Sequence, residues 1–230
     1  LEMVGLTEAD LQNTPARPSG ATARDEARRA GIDPSALQQN CSGKHAAMLV
    51  TCKINDWPIE HYMAVEHPLQ RAITKHITQL IGAAITEIGI DGCGAPTHAF
   101  ALRGLTDAFA AVALADGPVA RAMRAHPELV GGTGRDVTIW MQAVPGLIAK
   151  EGAAGVLAAA LPDGRAVAYK ISDGSNAARQ AVMPKAMNLL GVDRDTIQRV
   201  VSETRVLAVS YTHLTLPTKR RAEISLVDTA

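Results

Sequence analysis

This 230-residue chain contains few aromatic residues, no excess of charge of either sign and no long apolar run. Aromatic side chains make up 3% of the sequence, which leaves few rings to stack on nucleic-acid bases. Lys and Arg together number 23, and Asp and Glu also number 23, so no net basic field attracts a polyanion. The sequence therefore predicts that nucleic acid is not a partner.

Cysteine is also scarce, and its pattern does not indicate a disulfide framework. The three cysteines are an odd number, and no segment has the basic, apolar and cleavage regions of a signal peptide. No apolar run approaches the roughly 20 residues that are needed to cross a bilayer. We therefore expect a cytoplasmic protein without a membrane partner.

What the chain does contain is an ordinary apolar content of 47%, which predicts a folded protein. Apolar spacing and capping residues predict helices over 22–30, from Ser42 as N-cap to Cys52, and over 68–81, 105–115, 119–125, 137–143 and 177–190. Pro184 should kink or split the last helix. Strands are predicted at 84–90, 147–150, 156–161 and 165–171, the last two forming a hairpin. This order predicts an α+β fold with helices packed on an antiparallel sheet, and no linker divides the chain.

The two ends of the chain differ from the middle. The sequence begins at Leu1 inside an apolar segment, so we expect that an N-terminal portion precedes it. Residues 209–230 lack a helical period at their start and resemble a peptide translated from adapter DNA in metagenomic assemblies. We therefore predict one partial domain over 1–208, followed by an assembly artefact or disordered tail. The alternative is a short terminal strand with a basic turn.

Two polar segments concentrate reactive side chains. Residues 40–45 contain Cys41, Ser42, Lys44 and His45, and residues 91–93 add Cys93 in a glycine-flanked turn. The residues alone leave three interpretations open: a zinc site of two thiolates with an imidazole or amine, a thiol–imidazole nucleophile, or a capped helix with a half-buried thiol. The spacing matches neither a paired C-x-x-C zinc domain nor an S-x-x-K element.

A glycine-rich loop at 131–135 precedes the helix predicted at 137–143. Exposed backbone N–H groups at a helix start can bind anions, but no Gly-Lys-Ser/Thr follows, so the loop is not a nucleotide-binding Walker loop. An oxyanion or carboxylate site for a small substrate is the better interpretation.

Five ordered motifs, at 40–46, 91–97, 132–135, 149–153 and 170–174, resemble those of the asparaginase II family, the Rhizobium-type thermolabile L-asparaginases. The resemblance covers residues 1 to about 190. It implies an α+β fold similar to serine β-lactamases and glutaminases, here incomplete, and hydrolysis of L-asparagine to aspartate and ammonia. It also implies a zinc cofactor and a homodimer for the full-length protein.

The resemblance assigns roles residue by residue. The family's zinc ligands fall on Cys41, Lys44 and Cys93, and the positions beside the metal fall on His45 and Asp91, as catalytic or substrate-contacting groups. In the later motifs, Lys150 matches a lysine that faces the nucleophile, and Arg135 with Thr133 would contact the substrate carboxylate. For Arg135, a salt bridge at the start of the helix is an equal alternative.

One departure from the family concerns the nucleophile. The family's serine belongs to an S-x-x-K element, and the 230 residues contain no such element. We therefore expect that this chain holds the substrate and metal side of the site, lacks the serine, and hydrolyses asparagine poorly or not at all. Two other functions remain open: a metal-binding domain without catalysis, and a hydrolase that uses Cys41 as its nucleophile.

Overall fold

The structure is a computed structural model that describes residues 1–204 and 222–227. Much of the predicted artefact, at 209–221 and 228–230, lies outside the described residues, whereas 222–227 form a strand. The chain divides into two compact units, residues 1–100 and 101–230. The boundary follows a strand and leads directly into a helix, which explains why no linker composition marks it in the sequence.

The first unit is mainly helical. Its elements are α1 (Ala21–Arg29), α2 (Ser42–Ile54), α3 (Pro68–Ile81), β1 (Glu87–Ile90) and β2 (Pro96–Ala99), with β1 and β2 antiparallel. Helix α3 begins with proline at its first position and ends at Gly82, whose left-handed backbone (φ 61°) stops the helix as predicted. A small apolar cluster joins α2 and α3 to the N-terminal segment, and its buried members are Leu6, Leu11, Leu49, Cys52, Tyr62 and Leu69.

The start of α2 corrects one prediction. Ser42 is the first helical residue and not the N-cap, which is Cys41. The N–H of Cys41 donates to Gln39 Oε1 at 2.7 Å, and its carbonyl accepts from the N–H of His45 at 3.0 Å. The Cys41 N–H is thus hydrogen-bonded to the Gln39 side chain, and the Cys41 carbonyl accepts the first hydrogen bond of the helix.

The second unit is built on an antiparallel sheet in the order β3-β4-β5-β6. The strands are β3 (Ile148–Gly152), β4 (Val156–Ala160), β5 (Ala166–Ile171) and β6 (Ala222–Val227). The β4–β5 hairpin occurs as predicted. At its turn Gly164 has φ 86°, and an added Cβ would lie 2.7 Å from the Leu114 side chain, so both the backbone and the space require glycine.

Helices surround this sheet. They are α4 (Leu102–Ala115), α5 (Pro118–Ala125), α6 (Pro127–Gly131), α7 (Asp136–Ala143), α8 (Asn176–Leu189) and α9 (Arg194–Glu203). One face of the sheet, including Ile148 and Ala160, packs with residues of α4 and α5, and the other, including Leu157 and Tyr169, packs with residues of α7, α8 and α9. Helix α8 continues through the buried Pro184 without a break. Helices and antiparallel sheets together confirm the predicted α+β class.

Candidate metal centre

Two thiols and a carboxylate meet at one point of the first unit. The Sγ atoms of Cys41 and Cys93 and a carboxylate oxygen of Asp91 all lie within 4.8 Å of one another. Cys41 comes from the start of α2, while Asp91 and Cys93 come from the turn between β1 and β2. The turn holds Asp91 in place, because the N–H of Gly92 donates to Asp91 Oδ1 at 2.8 Å. Residues about fifty positions apart thus form one cluster.

Lys44 completes this cluster from the first turn of α2. Its Nζ donates to Cys93 Sγ at 3.2 Å and lies 3.5 Å from Asp91 Oδ2. The Lys44 and Asp91 side chains are each about two-fifths exposed, whereas Cys93 is buried. This candidate metal centre, hereafter the metal centre, consists of Cys41, Lys44, Asp91 and Cys93. Its Cys93 thiol is buried, and its Lys44 and Asp91 side chains can be reached by a small molecule.

The protonation of the metal centre follows from its mutual contacts. Burial raises the pKa of the Cys41 thiol, and although the Lys44 charge lowers it, the pKa stays above its ordinary value. For Lys44, burial lowers the pKa, but the hydrogen bond to Cys93 and the neighbouring thiols and carboxylate outweigh burial and raise it. For Asp91, burial raises the pKa, yet the Gly92 N–H and Lys44 outweigh it and keep the pKa below its usual range. Asp91 and Lys44 are thus both charged at neutral pH.

His45 lies next to Lys44 in the chain but is fully buried. Its Nδ1 lies 2.7 Å from Tyr62 Oη, and its Nε2 has no hydrogen-bond partner among the described residues. Burial, followed by the Lys44 charge, lowers the pKa of His45 to about 4. The imidazole is therefore neutral at physiological pH, and it is further from solvent than the predicted role of a substrate contact suggests.

The other predicted site residues belong to the second unit. Arg135, at the N-cap of α7, donates from Nη2 to Glu151 Oε1 at 3.1 Å. The Nζ of Lys150 lies 3.3 Å from the other oxygen of the same carboxylate and donates to the Glu151 carbonyl at 2.7 Å. Arg135 therefore makes the salt bridge that the sequence left as an alternative. Thr133 is exposed.

Arg135 also borders a polar cavity of about 260 Å³ in the second unit. The wall of this cavity consists of Gly134, Arg135, Asp136, Asn176, Arg179 and Gln180. Arg179 is 1% exposed and forms a bidentate pair with Asp136 at 2.8 and 3.0 Å. The cavity thus has the amide and guanidinium lining that suits a small polar ligand.

The comparison with family models decides the relationship of the chain. The model described as L-asparaginase II matches residues 1–216. The chain belongs to the L-asparaginase II family. No curated protein matches the sequence at a significant level. Membership confirms the resemblance drawn from the five sequence motifs, and it implies hydrolase activity on a small molecule.

For a member of the L-asparaginase II family, the metal centre is the notable feature of the first unit. Tetrahedral zinc holds sulfur at about 2.3 Å, which places neighbouring ligand atoms about 3.8 Å apart. The spread of at most 4.8 Å among Cys41, Asp91 and Cys93 fits such an ion after small side-chain movements. The structure also places an Asp91 oxygen within 4.8 Å of both thiols, beside Lys44, which the family resemblance implied as a ligand.

Sequence reasoning missed the residues that support this centre. Tyr62, the partner of His45, lies in an irregular segment after α2, and no spacing rule connects the two. The sequence also did not indicate Gln39 and Asn13, because amide side chains in loops belong to no recognisable motif. Within the described residues, no helix is both long and apolar enough to span a membrane.

Proposed function

We propose that the chain is part of an L-asparagine amidohydrolase that releases aspartate and ammonia through a serine acyl-enzyme beside a zinc site. The family match over residues 1–216 carries this proposal. The cluster of Cys41, Lys44, Asp91 and Cys93 supports it, because the residues that the family resemblance selects as ligands meet at one point.

In this proposal Cys41, Lys44 and Cys93 hold the zinc ion. When bound, zinc would supply a fixed positive charge that polarises or positions the substrate amide. Thiolates are the ligands that zinc prefers, but an amine must lose its proton to bind a metal. Asp91, already ionised and within reach, is the competing third ligand.

A proton count separates the two ligand sets. If Lys44 is a ligand, zinc binding at pH 7 should release about three protons, two from thiols and one from the ammonium, whereas about two are expected if Asp91 replaces it. Isothermal titration calorimetry in buffers of different ionisation enthalpy measures this number. We expect about three, and a value near two would remove Lys44 from the ligand set.

The remaining side chains bind and orient the substrate. Asp91, whose carboxylate is partly exposed, would contact the substrate ammonium, while the buried His45 would act by holding the first turn of α2. For the second unit, the family resemblance assigns the binding of a carboxylate to Arg135 with Thr133. Lys150 would take up a proton during acyl transfer, for which it must first lose its own.

The nucleophile in this mechanism is the serine of an S-x-x-K element, and residues 1–230 contain no such element. The serine would attack the side-chain amide, ammonia would leave, and water would hydrolyse the acyl-enzyme. The gene around this chain therefore provides the test. A longer reading frame with an S-x-x-K element should hydrolyse L-asparagine, while residues 1–230 alone should release little or no ammonia.

Within that longer protein, Lys150→Ala should lower kcat by about 100-fold or more, the usual size for a general base. Lys185, which is exposed on α8, provides the matched control, and Lys185→Ala should leave kcat unchanged. Equal activity of both variants would refute the role of Lys150.

A second candidate is a zinc-binding domain without catalysis, which the missing S-x-x-K element favours. A start codon close to Leu1, with zinc binding but no hydrolysis, would support it. Loss of activity on alkylation of Cys41, without loss of metal, would instead favour a cysteine nucleophile. For the longer enzyme we propose a cytoplasmic location and a homodimer. Sedimentation equilibrium can test whether it is a dimer.

A further inference from the structure

Tyr62 and His45 form a buried pair whose protons can be assigned. Both side chains are fully buried, and the backbone N–H of Gln12 donates to Tyr62 Oη at 3.2 Å. If the Tyr62 hydroxyl donates to His45 Nδ1, the only group of the pair without a partner among the described residues is the N–H at Nε2. If Nδ1 donated instead, both the hydroxyl proton and the Nε2 lone pair would lack a partner.

The number of unpartnered groups in the two arrangements selects one tautomer of His45. An unsatisfied buried polar group is unfavourable, so the arrangement with one such group is favoured over the arrangement with two. The doubly protonated imidazolium is also unfavourable, because a buried charge without a carboxylate partner is costly. His45 is therefore neutral with its proton on Nε2, and Tyr62 is the hydrogen-bond donor.

The same contacts connect the two sides of the metal centre through the protein. Residues 12–14, here called the 12–14 segment, bond to both sides. At one end the N–H of Thr14 donates to the Cys93 carbonyl at 3.4 Å. At the other end, Gln12 leads through Tyr62 to His45, whose N–H closes the turn on Cys41.

A second route leads from the 12–14 segment to Cys41. The amide nitrogen of Asn13, which is 2% exposed, donates to Gln39 Oε1 at 3.3 Å. The same Gln39 oxygen accepts the N–H of Cys41 at 2.7 Å. The 12–14 segment is therefore joined to the Cys41 segment by two routes and to the Cys93 segment by the Thr14 hydrogen bond, and none of these bonds requires a metal ion.

We infer that Tyr62 and the 12–14 segment are positioning elements of the metal centre: they fix His45 as the Nε2–H tautomer and preset the separation of Cys41 and Cys93. This inference rests on the proposed zinc site for its functional meaning. Mutation of residues that hydrogen-bond to metal-binding residues typically lowers metal affinity by about 10–100-fold. Neither Tyr62 nor Asn13 belongs to the metal centre, so each acts through another residue.

The tautomer is measured first, on the full 230-residue chain without metal. Nitrogen-15 NMR of the imidazole rings should show the proton of His45 on Nε2 in the wild type. In Tyr62→Phe, which removes the donor, His45 should shift towards the Nδ1–H form or a mixture. Tyr169→Phe is the matched control, because Tyr169 is equally buried but its hydroxyl donates to the Arg179 carbonyl in the second unit. A wild-type His45 protonated on Nδ1 would overturn the assignment.

Zinc affinity is measured second, by competition with a chromophoric chelator. Tyr62→Phe should bind zinc about tenfold more weakly or worse, while Tyr169→Phe should match the wild type. If Tyr62→Phe does not fold, Asn13→Ala tests the second connection, with weaker zinc binding expected and an unchanged His45 tautomer. Unchanged affinity in a folded Tyr62→Phe or Asn13→Ala would refute the positioning role.

The two measurements keep this inference separate from the proposed function. If the wild-type chain binds no zinc, the proposed cofactor is wrong. The tautomer of the metal-free chain then still decides whether Tyr62 donates to His45. If zinc binds but Tyr62→Phe changes neither readout, the cofactor stands and the positioning role is wrong.

Discussion

The two units of this chain bury polar side chains in different ways. In the second unit, Arg179 and Asp136 form a bidentate ion pair that is almost completely buried against a sheet with helices on both faces. In the first unit, the charged pair of Lys44 and Asp91 stays partly exposed. The buried side chains of Asn13 and Gln39 there are amides, and they are linked through loops. The difference indicates that the buried Arg179–Asp136 pair serves the fold, whereas the Lys44–Asp91 pair remains available for chemistry.

The difference between the two units has a physical cause. A buried ion is tolerated only when a partner and a rigid apolar frame hold it, and the second unit provides both. The first unit has a smaller apolar cluster, and its reactive groups are fixed by hydrogen bonds among loops and helix ends. Its site can therefore be altered with less effect on the fold than the Arg179–Asp136 pair.

The largest effect should come from breaking the buried pair. Asp136→Ala leaves the Arg179 charge buried without a partner, which should lower the free energy of unfolding by about 3–5 kcal/mol. Urea unfolding can be followed in a Trp57→Phe background, where the buried Trp140 of the second unit reports alone. A loss below about 1 kcal/mol would contradict the contrast between the units.

A smaller effect is expected from pH in the first unit. The pKa of His45 is about 4 in the fold and about 6.5 when unfolded, so the unfolded chain binds the extra proton between these values. Stability is then fully present above pH 6.5 and is lost as the pH falls towards 4, by up to about 3 kcal/mol.

His45→Gln, which cannot become charged, provides the comparison for this prediction. Lys44 and Asp91 also act on the His45 pKa, so unfolding of the metal-free proteins should be measured at pH 7 and pH 4.5. The wild type should lose more stability than the variant between these two values. Equal losses would show that His45 is not the titrating group.

The smallest effect should come from an exposed ion pair in the second unit. Arg103 Nε lies 2.9 Å from Asp107 Oδ1 on the surface of α4. Exposed pairs of this kind contribute about 0.3–0.5 kcal/mol, because solvent screens them and the side chains lose freedom. Asp107→Ala should therefore change unfolding by no more than this amount. A loss comparable to that of Asp136→Ala would mean that burial does not distinguish the two pairs.

Local patterns predicted much of the fold. The proline and glycine that bound α3, and the turn residues of the β4–β5 hairpin, act through local geometry, which a sequence reveals directly. Strand β2 was missed because 96–99 has no apolar alternation, and its pairing with β1 is a tertiary contact. Helix α9 was missed because its sequence is mostly polar, and its buried residues are Ile197 and Val200.

The candidate site likewise contains residues that the sequence could indicate and residues that it could not. Cys41, Lys44 and Cys93 could be selected from the family resemblance, and the structure brings their side chains together. Tyr62, Gln39 and the 12–14 segment could not be selected. Their roles depend on contacts between residues that are far apart in the sequence, such as Gln12 with Tyr62 and Thr14 with Cys93, for which the sequence offers no periodicity.

The central claim is that the first unit holds zinc through Cys41 and Cys93, and a zinc titration tests it most directly. The wild-type chain, a Cys41→Ser/Cys93→Ser double variant and Cys52→Ala, which changes the buried third cysteine, are titrated against a chromophoric chelator. We predict one tightly bound zinc ion in the wild type and in Cys52→Ala, and an affinity at least about 100-fold lower in the double variant. Equal binding by all three proteins, or no binding by the wild type, would contradict the account.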